Sequence, residues 1–174
     1  MSTLEDTVIN NADTGDVIMV EGRGFGSQLI RMMTGQQVNH VALIEKNEQQ
    51  TWVLEMTARH GFSATPIGLW FRRQDREKKY LYWGMAPSSF RGGCKPMRDK
   101  LAEIQRNPPH YSFWSLVTVW WAQVTRSKVP HRYVCSTFVR EAWAACGYTF
   151  DQTPDPGDFM RHSTSVSEIE EYDA

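Results

Sequence analysis

An α+β domain, a small antiparallel sheet packed against helices, is the fold class this sequence predicts. Short apolar and β-branched runs bounded by turn residues fill the first half of the chain. Apolar residues at helical spacing fill the second half. At 174 residues, with no internal repeat and no linker-like stretch, the chain has the length of one domain with a substantial core.

In order, "TGDVIMVEG" predicts a strand over Asp16–Val20, entered from a turn. "GRGFG" reads as a flexible loop, because its spacing fits neither a dinucleotide nor a Walker phosphate loop. "SQLIRMMTG" carries helix signals, with Ser27 as N-cap and Gly35 just past the end. "HVALIEK" and "TWVLEMTA" form a hairpin around "NEQQ", and "SATPIGLWF" reads as a further extended piece that Pro66 places at an edge or leaving the sheet. "RRQDREKK" reads as a solvated turn before the strand "YLYWGM", its interleaved acids arguing against a phosphate site. Met97, Leu101 and Ile104 mark a helix that Pro108 and Pro109 end; Tyr111–Val124 and Cys135–Cys146 mark two more, the last stopped by Gly147. The domain is expected over residues 1–162. The tail 163–174, with four acidic and no basic residues, is expected to be disordered.

Composition narrows the function classes. A formal net charge of −1 offers no broad cationic surface, so nucleic acid is not an expected partner. "MSTLEDTVIN" lacks a basic cluster and an apolar core, so it is not read as a signal peptide, and no apolar run reaches membrane-spanning length. A cytoplasmic location follows as the expectation, and with it three free thiols, Cys94, Cys135 and Cys146, in a reducing compartment. No metal-ligand spacing and no cofactor motif is present, so neither group is expected. Trp114, Trp120 and Trp121 in "YSFWSLVTVWWAQV" are core if buried; exposed, they would offer a patch for lipid or a membrane surface.

Cys135 stands directly before an amphipathic helix on which Phe138, Val139, Ala142, Trp143 and Cys146 continue its apolar stripe. A thiol there meets unpaired N–H groups and the positive end of the helix dipole, which lower its pKa. The plain alternative is an inert buried cysteine, as Cys146 at the negative end would be. A nucleophile needs a base, and there are five histidines. His131 lies ~13 Å away if the intervening segment is extended. His60, His110 and His162 read as surface positions. His40 opens a strand in line with Ala42 and Ile44. If Lys46 and Thr51 close the hairpin, Glu55 faces Ala42 and is the diagonal neighbour of His40, roughly 7–8 Å away by backbone. A carboxylate inside "WVLEMT" needs a partner, and one that orients an imidazole leaves the other ring nitrogen for the thiol. The competing reading pairs Glu55 with an arginine.

The succession "GDVIMVEGRGFGSQLIRMMTG", "NHVALIEK", "WVLEMT", "TPIGLW", "YVCSTFVREAWAACG" and "TPDPGDF" resembles the circularly permuted, papain-like branch of the NlpC-type superfamily. It is most similar to the YiiX and YebB-like group, related to lecithin:retinol acyltransferase-like enzymes. The resemblance spans Thr14 to Phe159 and implies a permuted papain-like fold with a catalytic cysteine at a helix N-terminus. The family's histidine falls on His40, its acidic residue on Glu55 and its cysteine on Cys135. Asn39 stands where the group often has a serine, and "STF" follows the cysteine where an acidic residue or glycine is common. The implied activity is a cysteine peptidase or amidase acting through a thioester on an amide bond, in a cell-wall or other peptide. The alternatives are a lipid acyltransferase or esterase of the same fold, or a binding module with its site unused. The Cys135 amide would be one oxyanion donor, and Tyr133 is a further candidate. A bacterial or a phage origin fits such a chain.

Overall fold

The computed structural model describes residues 4–22, 37–57, 60–74, 79–109 and 134–169. Helix α1 (Leu4–Asn11) leads into β1 (Val17–Gly22), β2 (His40–Lys46), β3 (Thr51–Thr57) and β4 (Gly61–Pro66). Helix α2 (Ile67–Arg72), β5 (Lys79–Met85), α3 (Lys95–Arg106), α4 (Cys135–Ala145), α5 (Asp158–His162) and β6 (Ser165–Ile169) follow. The strands form one sheet in the order β4-β3-β2-β1-β5-β6, each neighbouring pair antiparallel. The expected α+β class is observed. The Ser27–Gly35 and Tyr111–Val124 helices, the end of the "GRGFG" loop, the middle of "RRQDREKK", His110, His131 and Tyr133 lie outside the described residues.

Period-two alternation divides the strands between two cores. Val17, Met19, Val41, Leu43, Leu54 and Met56 pack under α3 and α4, against Met97, Leu101, Phe138, Val139 and Trp143. Ile18, Val20, Ala42, Ile44, Val53 and Leu81 face the other way, against Val8 and Ala12 at α1 and Ile67, Trp70 and Phe71 of α2. With both faces covered, the central strands read as nearly continuous apolar runs. The fully buried Trp143 anchors the end of α4: its ring lies against Phe90, Tyr148, Phe150 and Phe159, and its Nε1 donates to the Gly15 carbonyl at 2.9 Å. Gly147 ends that helix with φ +83°, which favours glycine.

Asp16, fully buried, gathers donors at the head of β1. It accepts from the Ala86 amide (2.9 Å), Trp83 Nε1 (3.2 Å), the Asp13 amide (3.1 Å) and Arg91 Nε (3.0 Å). Across the sheet, Gly84 lies where β1 and the chain before β6 come close. A Cβ there would meet Ser163 Oγ at 2.5 Å, Met19 Cε at 2.9 Å and Val17 Cγ2 at 3.0 Å. Gly84→Ala is therefore expected to cost about 1–3 kcal/mol, read as a lowered midpoint of thermal unfolding; an unchanged midpoint would show that the three side chains give way freely.

Four expectations are corrected. "IGLWF" is not extended: β4 ends at Pro66 and α2 begins at Ile67, burying Ile67, Trp70 and Phe71. An apolar run this short does not distinguish strand from helix by periodicity. The tail is not disordered from residue 163: Ser165–Ile169 pairs with β5 from Met85↔Ser165 to Leu81↔Ile169, and Ile169 is buried. Cys94 and Cys146 are not thiols but a disulfide joining the N-cap of α3 to the C-cap of α4, with Cα atoms 5.8 Å apart. The expectation of a reducing compartment loses the support it drew from those two residues. His162 is half-buried, its Nδ1 sharing a hydrogen bond of 2.7 Å with the Tyr148 hydroxyl. Among the described residues no helix is long and apolar enough to cross a membrane.

Candidate active site

The chain reaches Cys135 through Val134, which is extended at φ −123° and ψ 171°. Thr137 Oγ1 accepts from the Val134 amide at 2.8 Å and closes the first turn of α4. Cys135 is thereby fixed as the first helical residue. It is 6% exposed and is the free cysteine of the described residues.

The hairpin has the expected register, Lys46↔Thr51 through Leu43↔Leu54. It brings Glu55 to His40, with Oε2 3.2 Å from Nε2 and both side chains about four-fifths buried, at 21% and 18% exposure. The carboxylate thus partners the imidazole. His40 also hydrogen-bonds Cys135, and with Nε2 at the carboxylate, Nδ1 is the nitrogen left for the sulfur. The structure brings all three residues together from β2, β3 and α4. The main-chain amides of Val41 and Ser136 also act on the sulfur electrostatically, lowering its pKa.

The electrostatics follow from these contacts. Burial lowers the pKa of His40, but the hydrogen bonds and charges of Cys135 and Glu55 outweigh it and raise the value from 6.5 to about 10. Burial likewise opposes ionisation of Cys135. The His40 hydrogen bond and charge, with the two amides, overcome it and hold the thiol below its ordinary range. The arrangement favours a thiolate–imidazolium pair, the form of a thiol suited to nucleophilic attack.

Other candidates separate from this centre. His60 is exposed in a turn, and His162 belongs to the aromatic group of Tyr148 and Phe150. Asn39, beside His40, is buried: its Oδ1 accepts from the Gly22 amide at 2.8 Å and its own amide donates to Val20 O at 3.0 Å. Its side chain thus ties the end of β1 to the approach to β2. Sequence reasoning anticipated the helix-start amides, Ser136 among them, but not the influence of the Val41 amide, since a main-chain group leaves no signature in residue type. Among the described residues no three His, Cys, Asp or Glu side chains are grouped to hold a metal ion. Cys135 and Glu55 engage the imidazole between them rather than a common point.

No family model matches the chain, and no curated protein does. Among solved structures, the crystal structure of the metalloprotein YiiX from Escherichia coli O157:H7 is similar, with a TM-score of 0.57. That likeness covers 92% of this chain and 98% of the other at 16% sequence identity, so the two share a fold over nearly their whole lengths.

Proposed function

We propose that the chain is a cysteine hydrolase of permuted papain-like fold, cleaving an amide bond through a thioester acyl-enzyme. The observation that carries this reading is the chain of contacts from Cys135 at the start of α4, through His40, to Glu55. The Cys135 thiolate attacks the carbonyl carbon, forming the S–C bond while the π electrons move to oxygen. The oxyanion is assigned to the main-chain amide of Cys135, at a helix start. As the C–N bond breaks, imidazolium His40 gives its proton to the departing amine. Water then attacks the thioester, His40 takes its proton, and the acid leaves with the thiolate restored. A general acid that stays protonated at neutral pH suits an amine leaving group, which needs a proton more than an alkoxide does.

YiiX is described as a metalloprotein. The described residues of this chain do not fit a metal at the Cys135–His40–Glu55 centre.

The test is labelling with iodoacetamide near neutral pH, read by mass spectrometry without reduction. Cys135 is expected to react, and a Cys135 no more reactive than an ordinary thiol would overturn the reading. Incubation with cell-wall peptides and, separately, with lipid esters, followed by a search for an acyl group trapped on Cys135, then identifies the substrate. An acyl group from the esters alone would replace the amidase reading with an acyltransferase one. Glu55→Gln keeps a hydrogen-bonding oxygen beside His40 but removes the charge. It is expected to lower kcat about 10–100-fold and move the alkaline limb of the pH profile downward; an unmoved limb would show that Glu55 does not support the imidazolium.

A further inference from the structure

His40 is the first residue of β2, so the direction of its ring depends on how the chain before it is held. The β1–β2 register runs from Val17↔Leu43 to Val20↔His40 and, continued, would set Asn39 opposite Glu21. It does not continue. The Asn39 amide instead donates to Val20 O at 3.0 Å, so Asn39 and His40 both face Val20. Two residues against one is the arrangement of a β-bulge, which bends the strand and re-aims the side chain beside it.

A side chain pins the bulge. Asn39 Oδ1 accepts from the Gly22 amide at 2.8 Å in a buried bond, and Asn39 itself is buried. A buried main-chain donor needs an acceptor, and here a side-chain oxygen supplies it. Gly22 is a firm anchor, because the register pairs it on its other side with Lys79 of β5. The sheet thus holds Asn39 through both its main-chain amide and its side chain, one peptide bond from His40. From there the His40 side chain crosses to β3, where Glu55 Oε2 lies 3.2 Å from Nε2. The imidazole is fixed at its root by Asn39 and at its rim by Glu55.

We propose that Asn39 is a positioning residue of the hydrolase site: by holding the Gly22 amide, its side-chain oxygen fixes the bulge that aims His40 at Glu55 and Cys135. The role rests on the hydrolase reading. It is exerted through His40 alone, since the Asn39 oxygen is engaged with β1 rather than turned toward the sulfur.

The test compares Asn39→Ala, which removes the acceptor, with Asn39→Asp, which keeps an oxygen in its place. The His40 midpoint is read in the full chain, without substrate, from its ring Hε1 resonance against pH; kcat and KM are read from turnover of the identified substrate. Asn39→Ala is expected to lower the His40 midpoint by about one to two pH units, the size of one lost hydrogen bond to a charged group. It should lower kcat about 10–100-fold and leave KM within about twofold, because the imidazole is misplaced while substrate binds as before. Asn39→Asp should hold the midpoint at or above that of wild type and restore most of kcat. An Asn39→Asp protein as impaired as Asn39→Ala overturns the proposal. So does a lowered melting midpoint in Asn39→Ala with the His40 midpoint and kcat unmoved, since Asn39 would then serve the fold alone. Should Asn39→Ala not fold, glycolic acid in place of Gly22 removes the donor of the same bond and leaves Asn39 intact; an unmoved His40 midpoint there also overturns the proposal. A wild-type Cys135 no more reactive than an ordinary thiol would instead sink the hydrolase reading, while the His40 midpoint would still decide whether Asn39 aims the ring.

Discussion

His40→Ala will leave Cys135 protonated at neutral pH. In the variant, burial still raises the thiol and only the Val41 and Ser136 amides oppose it. A midpoint returned to 9.0 or above leaves about 1% thiolate or less at pH 7, two units below it. The general acid is lost in the same substitution, so turnover should fall about 10³–10⁴-fold. His40 lies at the head of a strand and is partly exposed, so the fold should survive, with a melting midpoint near that of wild type. Titration at 240 nm checks the first effect and turnover of the identified substrate the second. A thiol titrating unchanged in His40→Ala would end the imidazole's proposed role.

On the hydrolase reading, the same pair is expected to set the pH profile. Attack requires Cys135 deprotonated, so activity rises as pH climbs through its lowered midpoint. Leaving-group protonation requires His40 protonated, so activity falls as pH passes about 10. The window between is the range of the ion pair, and the two limbs belong to the coupled pair rather than to either residue alone.

Much of this site was legible because its parts obey short-range rules. Four turn residues between alternating strands set the hairpin register, and that register carries Glu55 onto the same face as His40, where their side chains meet. A 3.6-residue stripe ending at a glycine placed Cys135 at a helix start. What stayed hidden depends on distant partners. Asp16 looks like a turn residue in sequence, yet its donors Trp83 and Arg91 lie 67 and 75 residues away. "SVSEI" has the composition of a solvated tail and becomes a strand because β5 offers an open edge and a place for Ile169. Helix α1 carries only a narrow apolar stripe, Val8 with Ala12 just beyond its end, and folds because the sheet face beneath it is apolar.

Loss of the Cys94–Cys146 bridge should produce the largest change in stability. The two cysteines are 52 residues apart, and closing a loop of that length in the unfolded chain corresponds to about 4 kcal/mol. For a domain of this size the double variant Cys94→Ser/Cys146→Ser should melt roughly 8–16 °C lower. Reductant should lower the wild type by a similar amount and leave the variant unmoved. Activity per folded molecule should change far less, because the bridge joins the far end of α4, 11 residues and ~16 Å along the helix from Cys135. The sulfur's own end is held separately by Phe138 and Val139 in the core and by the Thr137 turn. A wild-type midpoint that reductant does not move would restore the reading of three thiols, and with it the reducing compartment; a drop as large as that of the double variant makes an oxidising environment the one in which this fold is most stable.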